Sequence, residues 1–173
     1  MKEKLQRKSI RLKEYDYSRS GEYFVTICTK NHECVFGSII NGQMDLNEKG
    51  RIVNRCWKGI PEHFSNVELD EYVIMPNHIH GIVIINEIDM NCRGEVTSPL
   101  RKPTLGKIAA YFKYQSTKLI NELHGAPSAK VWQRNYYDRI IRNEKELQNI
   151  RDYIANNILA WAIETEHPEN IPL

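Results

Sequence analysis

The chain has 173 residues, enough for one domain to bury a core without disulfides or a structural metal. Its composition, 41% hydrophobic and 27% charged, is that of a globular protein, and no apolar run approaches the roughly 18 residues needed to span a bilayer, which excludes a helical membrane protein. Net charge is only +2, but residues 1–13 hold six Lys or Arg against Glu3 alone, and Arg101 to Lys118 holds five with no acidic residue, two basic segments that suit a polyanionic partner.

The N-terminal segment is charged throughout and lacks a secretory apolar stretch, so residues 1–20 read as a basic arm and a cytoplasmic location is expected. Cys28, Cys34, Cys56 and Cys92 form no C-x-x-C pair, which argues against a zinc knuckle and fits a reducing compartment. Residues 21–173 read as a single domain. Gly21 to Lys30 alternates and is rich in β-branched and aromatic residues, predicting a strand. A short hairpin follows from Val35, turning at Asn41-Gly42. From Glu48 to Phe64 the spacing of Ile52, Val53, Cys56, Trp57 and Ile60 predicts one amphipathic helix capped by Asn47. Two apolar runs, Val67–Met75 and His78–Ile85, are separated only by Pro76-Asn77 and predict an antiparallel pair. Asn86 to Pro103 has no periodicity and is expected to be a mobile loop. Thr104 to Leu123 reads as a helix stopping near Gly125, Val131 to Ile141 as a strand, and Asn143 opens a final helix along Leu147, Ile150, Ile154 and Ile158. The order β-α-β-β-α-β with a terminal helix predicts an α+β, ferredoxin-like split βαβ fold, with helices on one face of an antiparallel sheet and the other face open.

Chemistry concentrates in two places. His78 and His80 are two apart on a predicted strand, so both imidazoles face the same side, half of a metal site. H-x-H alone is a weak signal and also describes two satisfied histidines; its setting in an apolar run, where desolvation disfavours unliganded imidazoles, favours a metal. On the last helix Tyr153 and Asn157 are four apart and share a face, so Asn157 can offer a carbonyl oxygen as a third ligand with Tyr153 beside the ion. A cation there would favour the phenolate and polarise a phosphate for in-line attack. For nucleic acid, the arm residues Arg7, Lys8 and Arg11 could track phosphates, joined by Lys107, Lys113, Arg134 and Arg142, with Trp132 as a base-stacking platform.

The segments RLKEYDYSRSGEYFVTICT, MPNHIHGIVI, VWQRNYYDRIIRN and LQNIRDYIANN, in this order, resemble the REP-associated tyrosine transposases, within the HUH single-tyrosine insertion-sequence transposases; the resemblance spans residues 7–161. It implies that residues 21–173 form an HUH-type catalytic domain with Tyr153 as nucleophile and His78, His80 and Asn157 as ligands of Mg²⁺ or Mn²⁺. The implied activity is cleavage and rejoining of single-stranded or hairpin DNA through a 5′-phosphotyrosine, by a monomer or a homodimer that contacts no membrane. A binder that has lost catalysis is the alternative. Many relatives carry Pro after the position of Asn157; here it is Ile158, which lets the helix continue past its usual end.

Overall fold

The computed structural model describes residues 15–87, 103–125 and 128–166. Arg7, Lys8, Arg11, Cys92 and most of the expected 86–103 loop therefore lie outside the described residues. Strand β1 (Gly21–Cys28) is central, flanked on one side by β5 (His78–Ile85) and on the other by the edge strand β6 (Tyr137–Ile141); β4 (Val67–Met75) pairs with β5, giving the antiparallel order β4-β5-β1-β6. With the intervening helices this is the predicted ferredoxin-like arrangement.

The small hairpin β2 (Gly37–Ile40) and β3 (Gln43–Leu46) turns where expected, with positive φ at both Asn41 and Gly42 (50° and 70°), the pairing of a type I′ turn. Helix α1 (Glu48–Lys58) begins at Asn47, whose side chain accepts from the Gly50 N–H at 3.0 Å. It is shorter than predicted, because Pro61 has no N–H to continue the ladder: the chain breaks at Gly59 and restarts as the single-turn α2 (Ile60–His63). Helix α3 (Leu105–His124) is capped by Thr104 and ends on Gly125 in the left-handed conformation, as the sequence indicates.

Side chains alternate across the sheet. Tyr23, Val25, Ile27, Ile79, Val83 and Ile85 face α1 and α3 and form the main core with Val53, Trp57, Ile108 and Phe112. In β4 the alternation shifts phase: the register slips between Leu69 and Tyr72, a β-bulge that lets Val67 and Leu69 before it, and Tyr72 and Ile74 after it, point to the same core. At Gly81 the sheet comes close to α1, and a Cβ there would lie 2.4 Å from the Trp57 ring. Gly81→Ala is therefore expected to lower stability by about 2 kcal/mol through overpacking, read as a lower urea midpoint with an unchanged m-value.

The opposite face is not left open. Helix α4 (Glu144–Glu166) lies across it, burying Leu147, Ile150 and Ile154 against Ile82 and Ile141, with Phe24, Val73 and Ile84 at the margin. Its start is fixed by Asn143, whose side chain accepts from the Glu146 N–H at 2.9 Å. Arg151 clamps the helix to β4, donating to Asp70 Oδ2 from Nη2 at 2.6 Å and from Nε at 3.1 Å, with Nε also 3.3 Å from Oδ1. Burial pushes the Asp70 carboxyl up, but the Arg151 and Glu71 hydrogen bonds outweigh it and hold the group below its ordinary value. The expected strand from Val131 contracts to Tyr137–Ile141, because residues 132–135 are drawn towards α3: the Trp132 indole N–H donates to Ser116 at 2.9 Å, and Lys113 donates to the carbonyls of Gln133 and Asn135, each at 2.9 Å. Among the described residues no helix is long and apolar enough to cross a membrane.

Candidate active site

β5 presents His78 and His80 on the face covered by α4, with Thr26 and Cys28 of β1 opposite them in the ladder. The two imidazoles converge: Nε2 of His78 and Nε2 of His80 are 3.0 Å apart. Each ring is held from behind, His78 Nδ1 by Asn77 Oδ1 at 2.6 Å and His80 Nδ1 by Thr26 Oγ1 at 2.8 Å. Phe24 stacks on the His80 ring with centroids 5.4 Å apart.

α4 lays three residues of one face over this pair. The Tyr153 hydroxyl is 3.3 Å from His80 Nε2, and its ring meets Phe24 edge-on. One turn on is Asn157, 9% exposed, and a further turn on is Trp161, whose ring centroid is 5.8 Å from that of His78. Asn157 is thus bracketed along the helix by residues that touch each histidine. The helix runs unbroken through Ile158, as the missing proline implies, and keeps this spacing. Tyr153 itself stays half-exposed (50%).

Two imidazole nitrogens 3.0 Å apart repel each other unless a proton or a cation lies between them. Burial is the main cause that pushes His78 down to about 4, with the charge of His32 adding to it; burial and then His78 push His80 down to about 3. Both rings are therefore neutral near pH 7 and present lone pairs, the form that ligates metal. Among the described residues no three His, Cys, Asp or Glu side chains group together, so a cation here would have two imidazoles and need an amide, phosphate or water oxygen to complete its shell. Asn157 is the neighbouring side chain of that chemistry.

The same depression sets a pH dependence in the absence of metal. A histidine that is neutral when folded but titrates near 6.5 when unfolded contributes stability above that value, and the contribution is lost as pH falls towards 4 and 3. Two such groups predict a loss of about 4 kcal/mol between about pH 7.5 and about pH 5, measured by urea melts in EDTA. A profile that is flat over that range would contradict neutral burial of the pair.

Of the residues expected to contact nucleic acid, Arg7, Lys8 and Arg11 lie outside the described residues. Lys107, Arg134 and Arg142 are exposed. Lys113 is committed to backbone carbonyls before β6 and holds the fold there. The expectation for Trp132 is corrected: it is 7% exposed, packed between Phe36 and Phe112 with its N–H satisfied, and has no ring face to offer a base. The exposed aromatic of this region is instead Tyr137, on the site face of β6 directly across from Thr26. Asn77, Thr26 and Phe24 were missed in the sequence. Asn77 adjoins the histidine motif and could have been noticed, whereas the pairing of Thr26 with His80 depends on strand register.

No profile of a known protein family matches the chain. An uncharacterized protein of Haemophilus influenzae is 45% identical over 166 residues, covering 90% of this chain and 89% of its own. A second protein of that organism, a candidate REP-associated tyrosine transposase, is 24% identical over 150 residues, covering 82% of this chain and 72% of its own. Among solved structures, a REP-associated tyrosine transposase bound to a REP hairpin superposes with a TM-score of 0.58 at 19% identity, covering 86% of this chain and 74% of its own, a likeness of fold.

Proposed function

We propose that the chain is a REP-associated tyrosine transposase, as its likeness to a relative and to a solved structure of that name supports, and that it cleaves and rejoins single-stranded DNA at hairpin or repeat sequences, with Tyr153 as the nucleophile and a divalent cation held by His78, His80 and Asn157. The observation that carries this reading is the juxtaposition on one sheet face of two converging imidazole nitrogens, 3.0 Å apart, with a tyrosine hydroxyl 3.3 Å from one of them. Of the two ions in view, Mn²⁺ suits a site with two nitrogen donors better than Mg²⁺, which prefers oxygen. When bound, the ion would supply Lewis acidity to the phosphate and favour ionisation of a nearby phenol.

The chain's own residues account for the remaining chemistry. Tyr153 Oη loses its proton to solvent and attacks phosphorus; the bond from phosphorus to O3′ breaks, and the leaving 3′-oxygen takes up a proton. The products are a 5′-phosphotyrosine and a free 3′-hydroxyl. Because one phosphodiester replaces another, the reverse step rejoins a strand without an external energy source. The ion pair of Arg151 with Asp70 between α4 and β4 supports a site in which Tyr153 and the histidines come from the same protomer. Hairpin recognition rests on the hairpin bound by the structural neighbour and on the sequence resemblance. DNA in the cytoplasm is the substrate pool that such an enzyme would meet.

The test is incubation of the protein with labelled single-stranded hairpins from the repeats flanking its gene, with Mn²⁺ or Mg²⁺, and denaturing electrophoresis. A covalent protein–DNA species removed by EDTA is the expected result. Tight binding to those hairpins with no covalent species would instead identify a DNA-binding protein that has lost catalysis.

A further inference from the structure

The residues behind the two histidines differ in what they can do, and the difference is chemical. Asn77 Oδ1 can only accept a hydrogen bond, so the 2.6 Å contact to His78 Nδ1 requires the proton on Nδ1 and leaves a lone pair on Nε2. The orientation of that amide is fixed independently, because its Nδ2 donates to the His32 carbonyl at 3.2 Å. Its position is fixed as well, because the Asn77 carbonyl accepts from the Thr29 N–H at 2.8 Å. Thr26, in contrast, presents a hydroxyl to His80 Nδ1 at 2.8 Å, which can donate or accept.

With no cation present, the 3.0 Å contact between the two Nε2 atoms needs one proton. Since His78 Nε2 holds a lone pair, that proton belongs to His80 Nε2, and His80 Nδ1 then accepts from the Thr26 hydroxyl. To ligate through Nε2, His80 must carry its proton on Nδ1 instead, and the Thr26 hydroxyl must turn to accept it.

We propose that Asn77 and Thr26 are positioning residues for the histidine pair: Asn77 locks His78 as the Nδ1–H tautomer, and Thr26 is a two-way partner that lets His80 exchange an Nε2 proton for an Nδ1 proton when a divalent cation binds. The exchange balances: one proton leaves Nε2 to water and one is taken from water at Nδ1, so the pair releases no net proton near neutral pH. This inference rests on the metal reading of the site but assigns roles to residues outside the ligand set. The general precedent is that partners of a ligating histidine's second nitrogen fix its tautomer and orientation.

The experiment uses the full chain and Mn²⁺ alone, with binding read by the electron-spin-resonance signal of free Mn²⁺ and tautomers read by ¹⁵N NMR of the histidine rings in the cation-free protein. Wild type is expected to bind Mn²⁺, with His78 as the Nδ1–H and His80 as the Nε2–H tautomer before loading. Asn77→Ala and Thr26→Val should each weaken Mn²⁺ binding about 10–100-fold. Thr26→Ser, which keeps the hydroxyl, should restore affinity to within about threefold of wild type, a rescue that lost packing alone would not give. Asn77→Ala should also turn the His78 ring to a mixture of tautomers. Thermal melts confirm that each variant is folded. Wild-type affinity in both Asn77→Ala and Thr26→Val, or His78 found as the Nε2–H tautomer, would overturn the inference while leaving the metal reading intact. Absence of Mn²⁺ binding by wild type, or undiminished binding by His78→Ala with His80→Ala, would overturn the metal reading and the inference with it.

Discussion

Tyr153→Phe is expected to abolish the covalent protein–DNA species and to lower strand cleavage by at least about 10³-fold, because it removes the attacking oxygen and nothing else. The ring keeps its edge-on contact with Phe24 and its place against His80, and the side chain is half-exposed, so folding and hairpin affinity should be unchanged. That separation makes the variant informative: affinity measured by gel shift and cleavage measured on the same hairpin should diverge. Persistence of an adduct would point to another exposed hydroxyl on this face, and Tyr137 across from Thr26 is the first to exchange.

Replacing both histidines should cost nearly as much by a different route. In His78→Ala with His80→Ala, cleavage is expected to fall about 10³-fold and to lose its response to Mn²⁺, since a developing negative charge on phosphate is left without its counter-ion. Unlike Tyr153→Phe, this variant should also change stability. It removes one buried and one half-buried ring from beneath α4, opening space beside Phe24, but it also removes two groups that resist protonation. The metal-free double variant should therefore begin less stable than wild type near pH 7.5 and lose less as the pH falls to about 5. Cleavage that persists in the double variant, or that EDTA leaves untouched in wild type, would remove the cation from the mechanism.

Much of the fold is legible in the chain because its local signals agree. Asn47 and Asn143 cap the helices the sequence assigns to them, Gly125 stops α3, and Asn41-Gly42 turns the hairpin. Misreadings arose where a local signal was passed over or a tertiary contact overrode the pattern. The helix expected from Glu48 to Phe64 runs across Pro61, whose missing N–H divides it. The aromatic and charged run from Trp132 looks like strand or stacking surface, yet Ser116 and Lys113 on α3 pull it into the core before the strand begins. The phase shift at the β4 bulge is equally invisible, since it depends on which neighbour the strand meets.

By itself the sequence singled out the candidate residues of the site. His78 and His80 share a face because a strand has period two, and Tyr153 and Asn157 share one because a helix returns to the same side every fourth residue. Only the tertiary structure decided that these two faces meet. The α4 stripe of Leu147, Ile150 and Ile154 is apolar and must be buried, but a stripe states no address; Ile82, Ile141 and the Asp70 carboxylate supply it, and they come together only once β4, β5, β1 and β6 are paired in register. Register also placed Thr26 behind His80 and turned Asn77 behind His78. Local periodicity fixes the direction of a side chain within its own element, whereas the distance between two elements is set by long-range packing that no local window contains.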